Sequence, residues 1–208
     1  MHHENETKNK LLELMLELTA QSCYEMSDLA DTYYRMSATG ELYHEAEQPD
    51  FCTIAGLRFG AWRVYQQHVE GRTDCTLEQF RNLTFTQWRD CVLTLAWQMP
   101  KAYLLHFECV AVAVAYRYLL LGPKVIDFLQ RVADTDVTGA IDIKTAWAVK
   151  RYAPTRDRAR ELAADIMLWK PGMQHLPSNT PEGANLLSIA TAKGVLDRLD
   201  LTDEERNK

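Results

Sequence analysis

The sequence predicts an all-α protein, a single-domain bundle of about eight helices around one buried central helix at about 101–121. Three observations carry that expectation. Apolar residues recur at three- and four-residue spacing in nearly every stretch between the Gly, Pro and Thr breakers. No run alternates cleanly between apolar and polar residues, so no strand is predicted. From Ala102 to Leu121 the chain is apolar except for a few residues, chief among them His106, Glu108 and Arg117, as expected of a helix enclosed by others.

In chain order, Leu11, Leu14, Met15 and Leu18, then Met26, Leu29, Ala30 and Tyr33, place one or two helices between Lys8 and about Met36. A short helical piece, Glu41 to Glu47, follows before Pro49. Ile54, Leu57, Ala61, Tyr65 and Val69 share one face of a helix that closes at Gly71. Thr76 is an N-cap with Gln79 in capping-box register, and Thr84 or Thr86 opens the next helix, which runs to Met99. The central helix stops at the breaker pair Gly122-Pro123. Helices are then expected over 124–133, 141–152, 155–170 and 184–199, with 171–183 a long loop and 1–7 and 201–208 flexible ends.

Composition agrees with a folded chain. Of 208 residues, 47% are hydrophobic and 25% charged, far from the profile of a disordered protein. The stretch 102–121 has the length of a bilayer span, but charges near its centre make insertion costly, and a buried helix accounts for it better. The start carries neither a basic region nor the apolar run of a secretory signal. Five widely spaced cysteines (Cys23, Cys52, Cys75, Cys91 and Cys109) form no CxxC pair and are expected to be reduced thiols of a cytoplasmic protein. Residues 1–50 hold eleven acids against three bases, an acidic quarter suited to a basic partner.

Several constellations bear on chemistry. Arg63 and His68 have an R-x4-H spacing that resembles the pair used by the all-helical HEPN ribonucleases, where it implies acid/base and phosphate-contact roles. The resemblance covers six residues, with Val64 where the family commonly has a polar residue and with the motif early in the chain. The helical wheel turns His68 to the face of Leu57 and Ala61 and Arg63 to solvent, so a core-edge histidine and a surface arginine are expected. Glu41 and His44 form a single E-x-x-H, half of what a di-iron bundle needs. Glu13, Glu17, Glu25 and Asp28 resemble part of the magnesium-binding set of helical nucleotide pyrophosphohydrolases, without its E-E-x-x-E. No metal and no cofactor are therefore expected.

Within the central helix, Glu108, Arg117 and His106 would be ionisable groups in apolar surroundings, with His106 and Arg117 close on the wheel. Each of the two charges must then be paired, and a structural pairing is preferred to a functional pocket. Lys150, Arg151, Tyr152, Arg156 and Arg158 bracket a turn and form a weaker candidate for phosphate or RNA contact.

With no nucleophile motif, phosphate loop or metal set, the sequence points to a non-catalytic binding protein of the inhibitor, immunity or adaptor kind, working through a helical face. An enzyme acting on RNA or nucleotides, or a nucleic-acid-binding regulator, is the alternative. The expected partner is another protein, with no membrane role. The surface expected to meet it is the acidic N-terminal region: Glu13, Glu17 and Asp28 on a polar stripe, with Tyr24, Tyr33 and Tyr34 as aromatic anchors.

Overall fold

A computed structural model describes residues 2–19 and 52–173. Among them are eight α-helices: α1 (His2–Thr19), α2 (Phe59–Val69), α3 (Leu77–Arg81), α4 (Phe85–Val92), α5 (Glu108–Leu121), α6 (Lys124–Val132), α7 (Ile143–Tyr152) and α8 (Arg156–Leu168). One two-stranded hairpin, β1 (Thr53–Ile54) with β2 (Leu57–Arg58), precedes α2. The all-α class is therefore correct. The described residues fall into two compact units, 2–7 with 98–173 and 8–19 with 52–97.

In the unit of 8–19 and 52–97, Leu11, Leu12, Met15 and Leu16 of α1 are fully buried; Leu11 and Met15 are of the face read from the sequence, whose Leu14 and Leu18 side chains lie outside what the structure describes. The hairpin is a correction. Ile54 and Leu57, expected on a helix, pair across an antiparallel turn. Ala55 and Gly56 both take positive φ there (45° and 78°), the backbone of a two-residue hairpin turn. Such turns favour Asn-Gly, and Ala-Gly carries no comparable signal. The Phe59 amide then donates to the Cys52 carbonyl at 2.8 Å and launches α2. Helix α2 begins only at Phe59, and its inward residues are Phe59 and Trp62, which meet Phe80 of α3 with ring centroids 5.4 and 5.6 Å away. Val69, expected on the apolar face, is exposed. The two threonine caps are as read: Thr76 with Gln79 and Thr84 with Gln87 each form a complete capping box.

The helix that Thr84 opens continues beyond α4 as a π-helical stretch, Leu93–Gln98. The expected continuous helix over 101–121 is interrupted. Lys101 adopts a left-handed backbone, Ala102–Leu104 make one 3-10 turn, and Leu105 and Phe107 are extended. The α-helix starts at Glu108, whose carboxylate occupies the first turn, where the helix dipole favours it. At 14 residues α5 is about 21 Å long, too short for a bilayer core of about 30 Å. Among the described residues no helix is long and apolar enough to cross a membrane.

Cys109 to Ala115, seven consecutive residues, are all buried, so α5 is enclosed on every side over two turns. It packs chiefly on α8, which turns Ala159, Leu162, Ala163, Ala164 and Ile166 inward. Alanines on both helices permit close approach of the two backbones. Gly122 ends α5 with φ 60° and ψ −147°, a conformation essentially confined to glycine. Beyond it, α6 ends in a Schellman arrangement: the Thr135 amide donates to the Gln130 carbonyl (3.0 Å) and the Asp134 amide to that of Arg131 (3.2 Å). Asp134 takes the left-handed position usually given to glycine.

Gln130 is fully buried and organises the loop between α6 and α7. Its Nε2 lies 2.9 Å from both the Thr138 hydroxyl and the Ala140 carbonyl and 3.0 Å from the Thr145 hydroxyl. Its Oε1 accepts from the Thr138 and Gly139 amides at 2.9 and 3.1 Å. Cys52, Cys91 and Cys109 are buried thiols and Cys75 is half-exposed, all four free. Burial pushes the Cys91 thiol pKa up. Cys23 lies outside the described residues.

Asp142 caps α7, its carboxylate accepting from the Thr145 amide at 2.7 Å. Those Thr145 hydrogen bonds hold its pKa below the usual aspartate value. A depressed folded-state pKa contributes stability that is present above the unfolded value and lost as pH falls through the folded value. Asp142→Ala is thus expected to flatten the acid limb of the stability profile between about pH 5 and pH 2. Urea titrations at stepped pH give the comparison, and parallel limbs for variant and wild type would remove this cap from the acid response.

Candidate functional site

Helix α7 is built with two apolar faces, and only one of them is covered. Thr145, Ala148 and Val149 point inward at helical spacing. On another side Ile143 and Trp147, one turn apart, are 68% and 57% exposed. Their neighbour is the interrupted segment before α5. Leu104 and His106 from that segment, with Ile143, Ala146, Trp147 and Lys150 from α7, enclose a cavity of about 210 Å³. The Lys150 ammonium stands 5.1 Å from the centre of the Trp147 ring, within cation–π range. Arg151 is exposed one position further on. The arrangement is an apolar groove with a cationic end.

The other unit carries a larger, more polar cleft of about 540 Å³ between α2, α3 and α4. Trp62 and Tyr65 form its aromatic side, and Glu70, Glu78 and Asp90 are among its lining. The Tyr65 hydroxyl donates to Glu70 at 3.3 Å. Its pKa is raised, first by burial and then by the negative charge of Glu70, with Asp90 contributing.

The sequence-derived candidates fare unevenly. Arg63 and His68 are both exposed on α2, and Arg63 lies over the Phe59 ring at 5.7 Å. The core-edge place expected for His68 is a correction with the same cause as that for Val69: α2 buries Phe59 and Trp62, while the side of Ala61 and Tyr65 is only half-buried and is exposed by His68 and Val69. His106 precedes α5 instead of sharing a helix with Arg117, so the wheel relation between them does not exist. Its ring stands edge-on to Phe107, with 4.9 Å between centroids, and it is exposed.

Glu108 and Arg117 are half-buried, less than expected, but each has a hydrogen-bonding partner as their chemistry requires. Glu108 accepts from the Thr7 hydroxyl at 2.9 Å. Arg117 donates to the main-chain carbonyl of Trp169, the C-cap of α8, while the Trp169 ring stacks on Phe128 at 4.6 Å. Burial lowers the Arg117 pKa. The partners described for Glu108, Arg117 and His106 are thus the Thr7 hydroxyl, the Trp169 carbonyl and the Phe107 ring respectively.

In the basic stretch, Arg158 lies over the Tyr152 ring at 5.6 Å and is paired with Glu161, and Arg160 pairs with Asp157 at 3.7 Å. The Tyr152 ring, the one aromatic group of this candidate set, is thus partly covered by the protein's own guanidinium. Arg156 is half-buried and Arg151 exposed. Of the N-terminal set, Glu13 is half-buried on α1. The Glu17 side chain, like Tyr24, Asp28, Tyr33, Tyr34 and the Glu41–His44 pair, lies outside what the structure describes. Among the described residues no group of His, Cys, Asp and Glu is placed to hold a metal ion.

Two features escaped the sequence reading. Ile143 and Trp147 stand one helical turn apart, a spacing that could have been noticed but that looks like core. The cleft has no sequence signal, because its walls come from three helices.

Fold and sites together define a helical protein with an apolar groove on one unit and an acid-rich cleft on the other. No family model and no curated protein matches the sequence. Among solved structures, the chain is similar to that described as the structure of Brucella abortus SagA, with 20% sequence identity, 94% of each chain covered and a TM-score of 0.59. At that identity the likeness is one of fold.

Proposed function

We propose that the chain is a non-catalytic binding protein that acts through a helical protein–protein interface. The observation that carries this reading is the exposed Ile143–Trp147 face beside its groove. Tryptophan is among the residues most enriched at binding hot spots, and Trp147 is exposed beside a second large apolar side chain, Ile143. The occupant that fits is a peptide segment of a partner protein with one large apolar side chain flanked by carboxylates. The apolar group fills the groove, and the carboxylates meet Lys150, which lines it, and the exposed Arg151 one residue further on.

Selection from a displayed peptide library tests this. Enriched peptides are expected to pair an aromatic or leucine with Asp or Glu, and to bind Trp147→Ala about 30-fold more weakly than wild type, as for a hot-spot residue. Peptides that bind the variant and wild type equally would sink the proposal. So would metal-independent RNA cleavage by the wild type that is abolished in His68→Ala, since a general acid/base contributes roughly 10²–10⁴-fold.

A further inference from the structure

We propose that the cleft between α2, α3 and α4 binds an organic cation, an alkylguanidinium or alkylammonium group. The proposal is independent of the α7 groove, which belongs to the other unit. Four observations support it. The cleft, at about 540 Å³, is large enough for a small ligand or a long basic side chain. Glu70, Glu78 and Asp90 line it against a single cation, Arg72. Arg72 already faces Asp74 at 3.6 Å, and Asp90 is hydrogen-bonded to Arg89 at 2.8 Å, which leaves the carboxylates of Glu70 and Glu78 in excess. The half-exposed Tyr65 supplies aromatic surface on the same walls, beside the largely buried Trp62, and aromatic rings attract guanidinium and ammonium groups.

The fourth observation concerns the field inside the cleft. Burial first, and then the charges of Glu70 and Asp90, keep the Tyr65 hydroxyl protonated. The contribution of the two carboxylates, unlike that of burial, favours a positive charge placed near them. Carboxylates, rather than metal-ligand geometry, make this a site for an extended organic cation. Guanidinium is the better fit of the two groups, because a carboxylate can take two of its N–H donors while its flat face lies on an aromatic ring.

The test is an NMR titration of the full chain with n-butylguanidinium, following the side-chain resonances of Trp62 and Tyr65. Neutral n-butylurea, of nearly the same shape, serves as the control. Saturable shifts are expected with the cation at concentrations below about 10 mM, and none with the urea. Glu70→Gln, an exposed substitution that should leave the circular dichroism unchanged, is expected to weaken binding about tenfold. A capped Gly-Arg-Gly peptide separates the two natural sources of this group. Tighter binding than n-butylguanidinium assigns the site to a basic side chain of a peptide, and weaker binding to a free cation. Equal shifts with cation and urea, no saturation with the cation, or unchanged affinity in Glu70→Gln would each overturn the proposal.

Discussion

Gln130→Ala is expected to destabilise the protein by about 2–4 kcal/mol. The side chain is wholly buried, and its amide serves both as donor and as acceptor to the loop between α6 and α7. Truncation removes the acceptor of the Thr138 and Gly139 amides at once. It also deprives the Ala140 carbonyl and Thr145 hydroxyl of a donor. Each buried group left unsatisfied costs about 1–3 kcal/mol, partly recovered where water can enter the loop. Gln130→Glu sharpens the test by keeping the shape while replacing the donor end with a charge, so it should be no better tolerated than alanine. Urea denaturation gives both values. A loss under about 1 kcal/mol for Gln130→Ala would mean that the loop holds its conformation without the amide.

Arg117→Ala is expected to cost about 1.5–3 kcal/mol, the range for a hydrogen bond from a charged donor. The guanidinium holds the carbonyl at the end of α8, next to the stacked pair of Trp169 and Phe128. The opposing contribution is desolvation, which already lowers its pKa. Arg117→Met loses the same hydrogen bond but keeps most of the apolar stem, so it should cost less than alanine by what the stem contributes. Thermal unfolding of both variants tests the balance. If methionine is as damaging as alanine, the hydrogen bond dominates and the stem contributes little.

The fold class and most helix boundaries could be read from the sequence because they depend on local signals. Thr76 and Thr84 are followed by glutamine three positions on, and both boxes form. Gly122-Pro123 ends a helix for reasons of backbone geometry alone. Where the reading went astray, the determinant was either a turn without its usual residues or the absence of a breaker. Ala55-Gly56 makes a hairpin that periodicity cannot reveal, and it takes Ile54 and Leu57, two of the five residues that defined the expected apolar face, out of the helix. Lys101 breaks the central stretch with a left-handed backbone that nothing in Met99-Pro100-Lys101-Ala102 demands beyond the proline. The groove and the cleft were illegible for a different reason. Each depends on side chains from separate elements, and a single sequence does not say which exposed faces will lie side by side. Trp147 illustrates this: its spacing from Ile143 fits a core stripe, and only the placement of Ala148 and Val149 inward shows that it faces water.

The all-round burial of α5 has a consequence during synthesis. This helix leaves the ribosome well before α8, the element that covers most of it. At translation rates of about 5–20 residues per second, roughly 2–10 s pass between the end of one and the end of the other. An enclosed helix has no polar side to turn outward in that interval, unlike an amphipathic one. The nascent chain must therefore either shelter Cys109 to Ala115 on what has already emerged or expose seven buried residues to solvent and to chaperones. The alternation of Val with Ala in this segment keeps the side chains small, which limits the apolar area at risk before α8 arrives.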